Sequence, residues 1–145
     1  MPSTKLNCQT AITINQPIEK VWDTINNFHD LSWCPNVVSS CDALGDIPGD
    51  RPGAVRVFNE NIQEILKERN GEDHVIRYAV ERGPAPISEV FGFVGEIKLN
   101  TVMDGVTQVQ WSANWNANNH DAVQFCTDTY VAMLEDLRET MKNAE

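Results

Sequence analysis

The sequence predicts an α+β domain in which an antiparallel sheet curves around one long C-terminal helix. Three observations point to it. Asn118 to Lys142 is the only stretch with sustained helical periodicity. Everything before it breaks into short alternating or apolar runs separated by turn signals. No linker, repeat or low-complexity tract divides the 145 residues, enough for one domain burying about two thirds of its unfolded surface.

The final helix sets the scale. Val123, Phe125, Cys126, Tyr130, Met133, Leu134, Leu137 and Met141 recur at steps of three and four, and Asp128, Glu135, Arg138, Glu139 and Lys142 take the other face. Asn118 or Asn119 can cap its start, and Asp121 suits the positive end of its dipole. At about 1.5 Å per residue it is roughly 35 Å long, so its cover must span nearly the whole domain.

The other elements follow in order. Leu6 to Ile14 is a strand ending at Asn15-Gln16-Pro17, where the proline can open a helix over Ile18 to Asn26 with Ile18, Val21, Trp22 and Ile25 on one face. Phe28 to Asn36 reads as a second short helix or a turn, because Pro35 disfavours helix at Cys34. Val37 to Leu44 is a strand, and Gly45 to Gly53 an irregular loop expected to act as a flap beside a stiff rim at Gly83 to Pro86. Val55 to Phe58, Ile62 to Lys67 and His74 to Val80 are strands around Asn59-Glu60-Asn61 and Asn70-Gly71. Glu89 to Asn100 and Val106 to Asn116 complete the set, joined at Asp104-Gly105.

Composition narrows the partners. Eleven Lys and Arg against 21 Asp and Glu give a formal charge of -10, with no basic stripe, which argues against nucleic acid and anionic membrane surfaces. Met1 to Thr10 reads as neither signal peptide nor anchor, and no apolar run reaches a membrane span, so a cytoplasmic protein without stable membrane association is expected. Cys8, Cys34, Cys41 and Cys126 lack metal or CxxC spacing and read as free thiols. His29, His74 and His120 fall at element ends and read as surface residues, so no metal and no cofactor is expected. The oligomeric state, monomer or homodimer, is open.

Strand register then brings chemistry inward, since a slip of one residue sends an apolar set to the wrong face. Val109, Trp111, Ala113 and Trp115 face in. A three-residue bulged turn pairs them with Phe91, Phe93, Ile97 and Leu99. Ile76, Tyr78 and Val80 face in with Ile62, Glu64 and Leu66, opposite Phe58 and Arg56. A three-residue loop at Asn59 to Asn61 puts Arg56 across from Glu64, and an odd-length loop around Gly71 puts Glu64 across from Tyr78. Such neighbours lie within about 5.5 Å at Cβ, forming one polar row in an apolar chamber. The alternative register leaves Arg56 and Glu64 solvated.

The order of Gln16-Pro17-Ile18-Glu19-Lys20-Val21-Trp22, Leu31-Ser32-Trp33-Cys34-Pro35, Gly53-Ala54-Val55-Arg56, Gln63-Glu64-Ile65, Tyr78, Gly105-Val106-Thr107-Gln108-Val109-Gln110-Trp111 and a long final helix resembles the polyketide cyclase/dehydrase and lipid transport family. That family belongs to the START-like superfamily of the birch-pollen allergen and the abscisic acid receptors. The resemblance covers essentially the whole chain. It implies a helix-grip fold, in which a seven-stranded antiparallel sheet wraps the C-terminal helix, two short helices after strand 1 close one end, and a hydrophobic cavity lies between. The lysine and Ser-Gly-Leu-Pro gate of the hormone receptors are missing, since no Lys or Arg occurs between Lys20 and Arg51.

The candidate ligand-binding residues are Trp33, Arg56, Phe58, Glu64, Tyr78, Phe93, Trp111, Phe125, Thr129 and Met133, with Leu134, Leu137 and Met141 in the dry core. Two functions fit. One is a carrier or sensor of a small, largely hydrophobic, neutral molecule. The other is a cyclase or dehydratase acting on a polyketide-like or other carbonyl substrate, with Glu64 as base, Tyr78 as acid and Arg56 polarising an oxygen. Arg56 is expected to lower the Glu64 pKa, which favours the carrier. A third reading is a protein-interaction module whose cavity is filled by its own aromatics.

Overall fold

The computed structural model describes residues 4–142. Seven strands form one antiparallel sheet in the order β1-β7-β6-β5-β4-β3-β2. They are β1 (Thr4–Ile14), β2 (Cys41–Leu44), β3 (Val55–Phe58), β4 (Ile62–Asn70), β5 (Val75–Arg82), β6 (Phe91–Met103) and β7 (Val106–Ala117). Helix α1 (Ile18–Ile25) follows β1, and α2 (Asp121–Lys142) ends the described chain. This is a helix-grip fold, with the apolar faces of sheet and α2 meeting in a single core.

Helix α2 buries Cys126, Tyr130, Met133, Leu134, Leu137 and Met141, the stripe its periodicity predicts, while Asn119 Oδ1 accepts from the Asp121 amide at its start. Its other end is fastened by Gln16, whose side-chain amide donates to the Met141 carbonyl at 3.0 Å. Thr107 Oγ1 donates in turn to the Gln16 carbonyl at 2.7 Å, so a carbonyl that a helix end leaves open is satisfied inside the core.

The segment after α1 departs from the two-helix expectation. Residues 28–38 form consecutive turns, with Cys34 N donating to Leu31 O and both Val37 N and Val38 N to Cys34 O. Pro35 keeps Cys34 from extending a helix, and a side chain from α2 fixes the turns instead. Asp136, buried within that helix, accepts from the Asn36 amide and from Asn36 Nδ2, each at 2.7 Å. Strand β2 is consequently shorter than Val37 to Leu44.

Three of the four register shifts in the sheet decide which side chains face in. Phe91 pairs with Asn116 and Val94 with Asn114, so β6 carries one extra residue around Gly92, whose φ is +63°. That extra residue turns Phe91 outward, 57% exposed, against the expectation that it faces in, while Phe93 remains inside and stacks on Trp115 with centroids 5.3 Å apart. A second bulge, between Thr101 and Met103, aligns Leu99 with Val109 and Ile97 with Trp111, the inward pairs expected of a bulged turn. The third, at Lys67 in β4, combines with a four-residue turn, Gly71 to His74, to pair Leu66 with Tyr78 and Glu64 with Val80. Tyr78 therefore sits one inward position further along the sheet than expected.

Gly95 lies directly opposite Tyr78, and a Cβ there would run into the Tyr78 ring. The ring lies across the backbone where a side chain would otherwise stand, and it is fully buried. Gly95→Ala is expected to cost about 1–3 kcal/mol as an overpacking change. Chemical denaturation measures it, and an unchanged midpoint would mean that the ring moves aside freely.

Candidate ligand cavity

Between α2 and the sheet lies a cavity of ≈ 40 Å³, space for about three waters at the usual 10–15 Å³ of probe-occupied volume each. Eight of the ten expected ligand-binding residues line it, namely Arg56, Phe58, Glu64, Phe93, Trp111, Phe125, Thr129 and Met133. Ile62, Val80, Ile87, Cys126 and Tyr130 complete the wall. Leu134, Leu137 and Met141 lie outside it, in the packed part of the stripe. Residues 45–53 do not reach it. Phe28 N donates to Gly49 O and Gly53 N to Leu66 O, which places that loop against the turns after α1 and against β4 and not at the cavity.

Arg56 and Glu64 face each other across the β3–β4 hairpin. Asn59 and Glu60 turn it in the left-handed region, at φ +52° and +66°, a conformation asparagine adopts more readily than most residues. The Asn59 side chain accepts from Ser39 N and donates to Val37 O, tying the turn to the segment before β2. Arg56 Nε and Nη2 both contact Glu64 Oε1, at 2.9 and 2.7 Å, and Nη1 donates to the Phe28 carbonyl at 3.2 Å. The guanidinium also lies 4.0 Å from the centroid of the Phe28 ring. Both side chains are buried, so each charge depends on the other.

Burial raises the Glu64 pKa, and the opposing pull of Arg56 does not overcome it. This reverses the expected lowering: desolvation of a fully enclosed carboxylate outweighs one neighbouring cation.

Tyr78 lies 5.5 Å from the Arg56 guanidinium at its ring centroid, but its hydroxyl does not join the Arg56–Glu64 row. Its hydroxyl accepts from Trp111 Nε1 at 2.9 Å and is 2.6 Å from the Tyr130 hydroxyl, and it lies behind the cavity wall. The register shift at Lys67 is the reason. Tyr130 stands in front, stacked on Trp111 with centroids 4.3 Å apart and rings 15° from parallel. The residue pattern held a signal for it, since a tyrosine on a buried helical stripe must find a partner for its hydroxyl. Trp33 is also displaced from the expected place. It packs behind Trp111, 6.3 Å between centroids, and its Nε1 donates to the Asp30 carbonyl, so it supports the wall without lining it.

His74 is half-buried, edge-on to Trp22, with Nε2 2.8 Å from Glu19 Oε1. Among the described residues no group of three His, Cys, Asp or Glu side chains is placed to hold a metal ion, and no helix is long and apolar enough to cross a membrane.

Residues 5–142 match the family described as polyketide cyclase/dehydrase and lipid transport. The chain belongs to that family. A solved structure of a protein from Nitrosospira multiformis is 33% identical over 95% of this chain and 96% of its own, with a TM-score of 0.91. The protein XoxI from Bacillus cereus is 22% identical, with coverage of 99% and 98% and a TM-score of 0.78. Ginseng major latex-like protein 151 from Panax ginseng, at 19% identity and 96% and 97% coverage, has a TM-score of 0.74. The last two likenesses concern the fold alone. No functionally curated protein matches the chain.

Two predictions concern how this member of the polyketide cyclase/dehydrase and lipid transport family holds its buried polar groups. Tyr78 and Tyr130 are its two tyrosines, and burial holds both phenols well above the ordinary value of 10.0. A phenol with a raised folded-state pKa contributes stability that is intact below pH 10 and is lost as the pH rises further. Phenolate absorbance is therefore expected to stay near baseline at pH 10 and to rise in one step together with loss of the circular dichroism signal. A gradual rise centred near 10 in folded protein would contradict the buried pair.

The second concerns the ion pair. Arg56→Ala is expected to cost about 3–5 kcal/mol by stranding a buried carboxylate, and the double change Arg56→Met with Glu64→Leu to cost less than the single one. Equilibrium denaturation of both variants decides it, and a double variant weaker than Arg56→Ala would show that the pair itself stabilises the fold.

Proposed function

We propose that this protein binds a small, largely apolar, neutral molecule in the cavity between α2 and the sheet, as a carrier or sensor. The observation that carries the reading is the buried Arg56–Glu64 pair set in a mostly apolar wall. Both Arg56 contacts fall on Glu64 Oε1, leaving Oε2 without a hydrogen bond among the described residues. A ligand with one hydroxyl or amide N–H would meet that oxygen while Phe58, Phe93, Phe125 and Met133 cover its apolar body. A ligand larger than a few waters requires the wall to open, and Met133 and the half-buried Phe125 are the side chains on α2 best suited to give way.

One observation favours the second reading, a cyclase or dehydratase on a carbonyl substrate. The raised pKa of Glu64 brings a carboxyl at the cavity wall closer to the range in which it can exchange a proton near neutral pH. With Tyr78 withdrawn, any acid partner would have to be Tyr130. The family's description spans catalysis and transport and supports both readings.

Native mass spectrometry of the purified protein tests the proposal. A co-purifying adduct is expected on the parent protein, and Thr129→Trp, which fills the cavity from the helix side, is expected to lose it while keeping a cooperative unfolding transition. An adduct recovered unchanged after prolonged incubation supports the carrier, and conversion to a new mass supports the enzyme. The reading fails if the parent carries no adduct and no member of a panel of small ketones, alcohols and hydrocarbons raises its melting temperature.

A further inference from the structure

The buried chain from Trp111 through Tyr78 to Tyr130 has a direction. Trp111 Nε1 can only donate, so the Tyr78 oxygen accepts at 2.9 Å. Tyr78 is fully buried, and its own proton has one acceptor among the described residues, the Tyr130 oxygen at 2.6 Å. The reverse assignment, with Tyr130 donating, would leave the Tyr78 hydroxyl proton buried and unpaired, a desolvation cost that native structures avoid. With the chain running from Trp111 to Tyr78 to Tyr130, the Tyr130 proton is the one left over. Among the described residues no protein acceptor meets it, and Tyr130 lines the cavity.

We infer that Tyr130 presents its O–H to the cavity as a hydrogen-bond donor and selects ligands that carry an acceptor oxygen, such as a ketone, aldehyde or ether. Two donors stacked behind it polarise that hydroxyl, because each accepted hydrogen bond makes the next one stronger. Burial holds both phenols neutral across the physiological range, so the group is a fixed donor and not an anion. The inference rests on the ligand-binding reading and adds to it. Glu64 Oε2 offers an acceptor and Tyr130 a donor, so the preferred ligand has an acceptor oxygen at the Tyr130 end of an apolar body. Tyr130 is in this sense a specificity-determining residue.

A matched pair of probes tests it: acetophenone, which has a carbonyl oxygen, and ethylbenzene, which has nearly the same shape and none. Binding is measured by NMR titration of the parent protein and of Tyr130→Phe, which keeps the ring stacked on Trp111. Tyr130→Phe is expected to bind acetophenone about three- to tenfold more weakly and ethylbenzene no more weakly than the parent. The carbonyl stretch of bound acetophenone is expected at lower frequency than in hexane, returning toward the hexane value in the variant. Should Tyr130→Phe not fold, the parent labelled with 13C at tyrosine Cζ gives two resonances, and one of them is expected to shift with acetophenone and not with ethylbenzene. A hexane-like carbonyl stretch in the parent, a lowered stretch untouched by Tyr130→Phe, or identical tyrosine responses to the two probes overturns the donor while leaving the cavity in place. Failure of both probes to bind overturns the donor together with the ligand-binding reading.

Discussion

Helix α2 has to hide one face along about 33 Å of its length, and most of the architecture answers that requirement. A flat sheet would touch such a helix along a short line. Here the sheet curves, with β1 at one end and β2 at the other, and the bulges in β4 and β6 are where extra residues let it bend and twist. The polar fastenings serve the same end. Gln16 holds the last turn of the helix, and Asp136 holds the turns that carry Trp33, so the stripe is gripped at its C-terminal half and left looser at Phe125 and Thr129, where the cavity opens.

Legibility in the sequence followed periodicity. The helical stripe, the inward faces of β6 and β7 around Trp111, and the Arg56–Glu64 opposition all depend on alternation and on one short turn, and these emerge as expected. What depends on counting residues through a longer turn did not. Tyr78 is misplaced by two residues because nothing in Asn70 to His74 announces a four-residue turn, and nothing at Lys67 announces a bulge. Phe91 turns outward for a related reason, since Gly92 gives only a weak local hint of a left-handed residue. Tyr130 was visible as a helical core residue, but its role depends on which phenol it meets, and hydroxyl partners are set by three-dimensional neighbours and not by spacing.

The polar groups in and behind the cavity wall are of two kinds, and they behave differently. Arg56 and Glu64 are charges that tolerate burial by engaging each other, an aromatic face and a backbone carbonyl. The tyrosines and Trp111 are neutral, and their stacking and hydrogen bonds depend on one another, with Trp33 packed behind. An ion pair of this kind can be replaced by apolar residues without loss of the fold. A directional chain of neutral donors has no such substitute, because removing any member leaves another unpaired.

Gly95 links that chain to the backbone of the sheet. The space its missing side chain leaves is the space the Tyr78 ring occupies, so positions 78 and 95 amount to one steric choice and not two. Any side chain at 95 must be matched by a smaller residue at 78, and the smaller residue carries no phenol to stand behind Tyr130. Within a fold shared by chains of very different sequence, any side chain in place of this interior-strand glycine, a residue that otherwise weakens a strand, would therefore exclude the phenol that stands behind Tyr130.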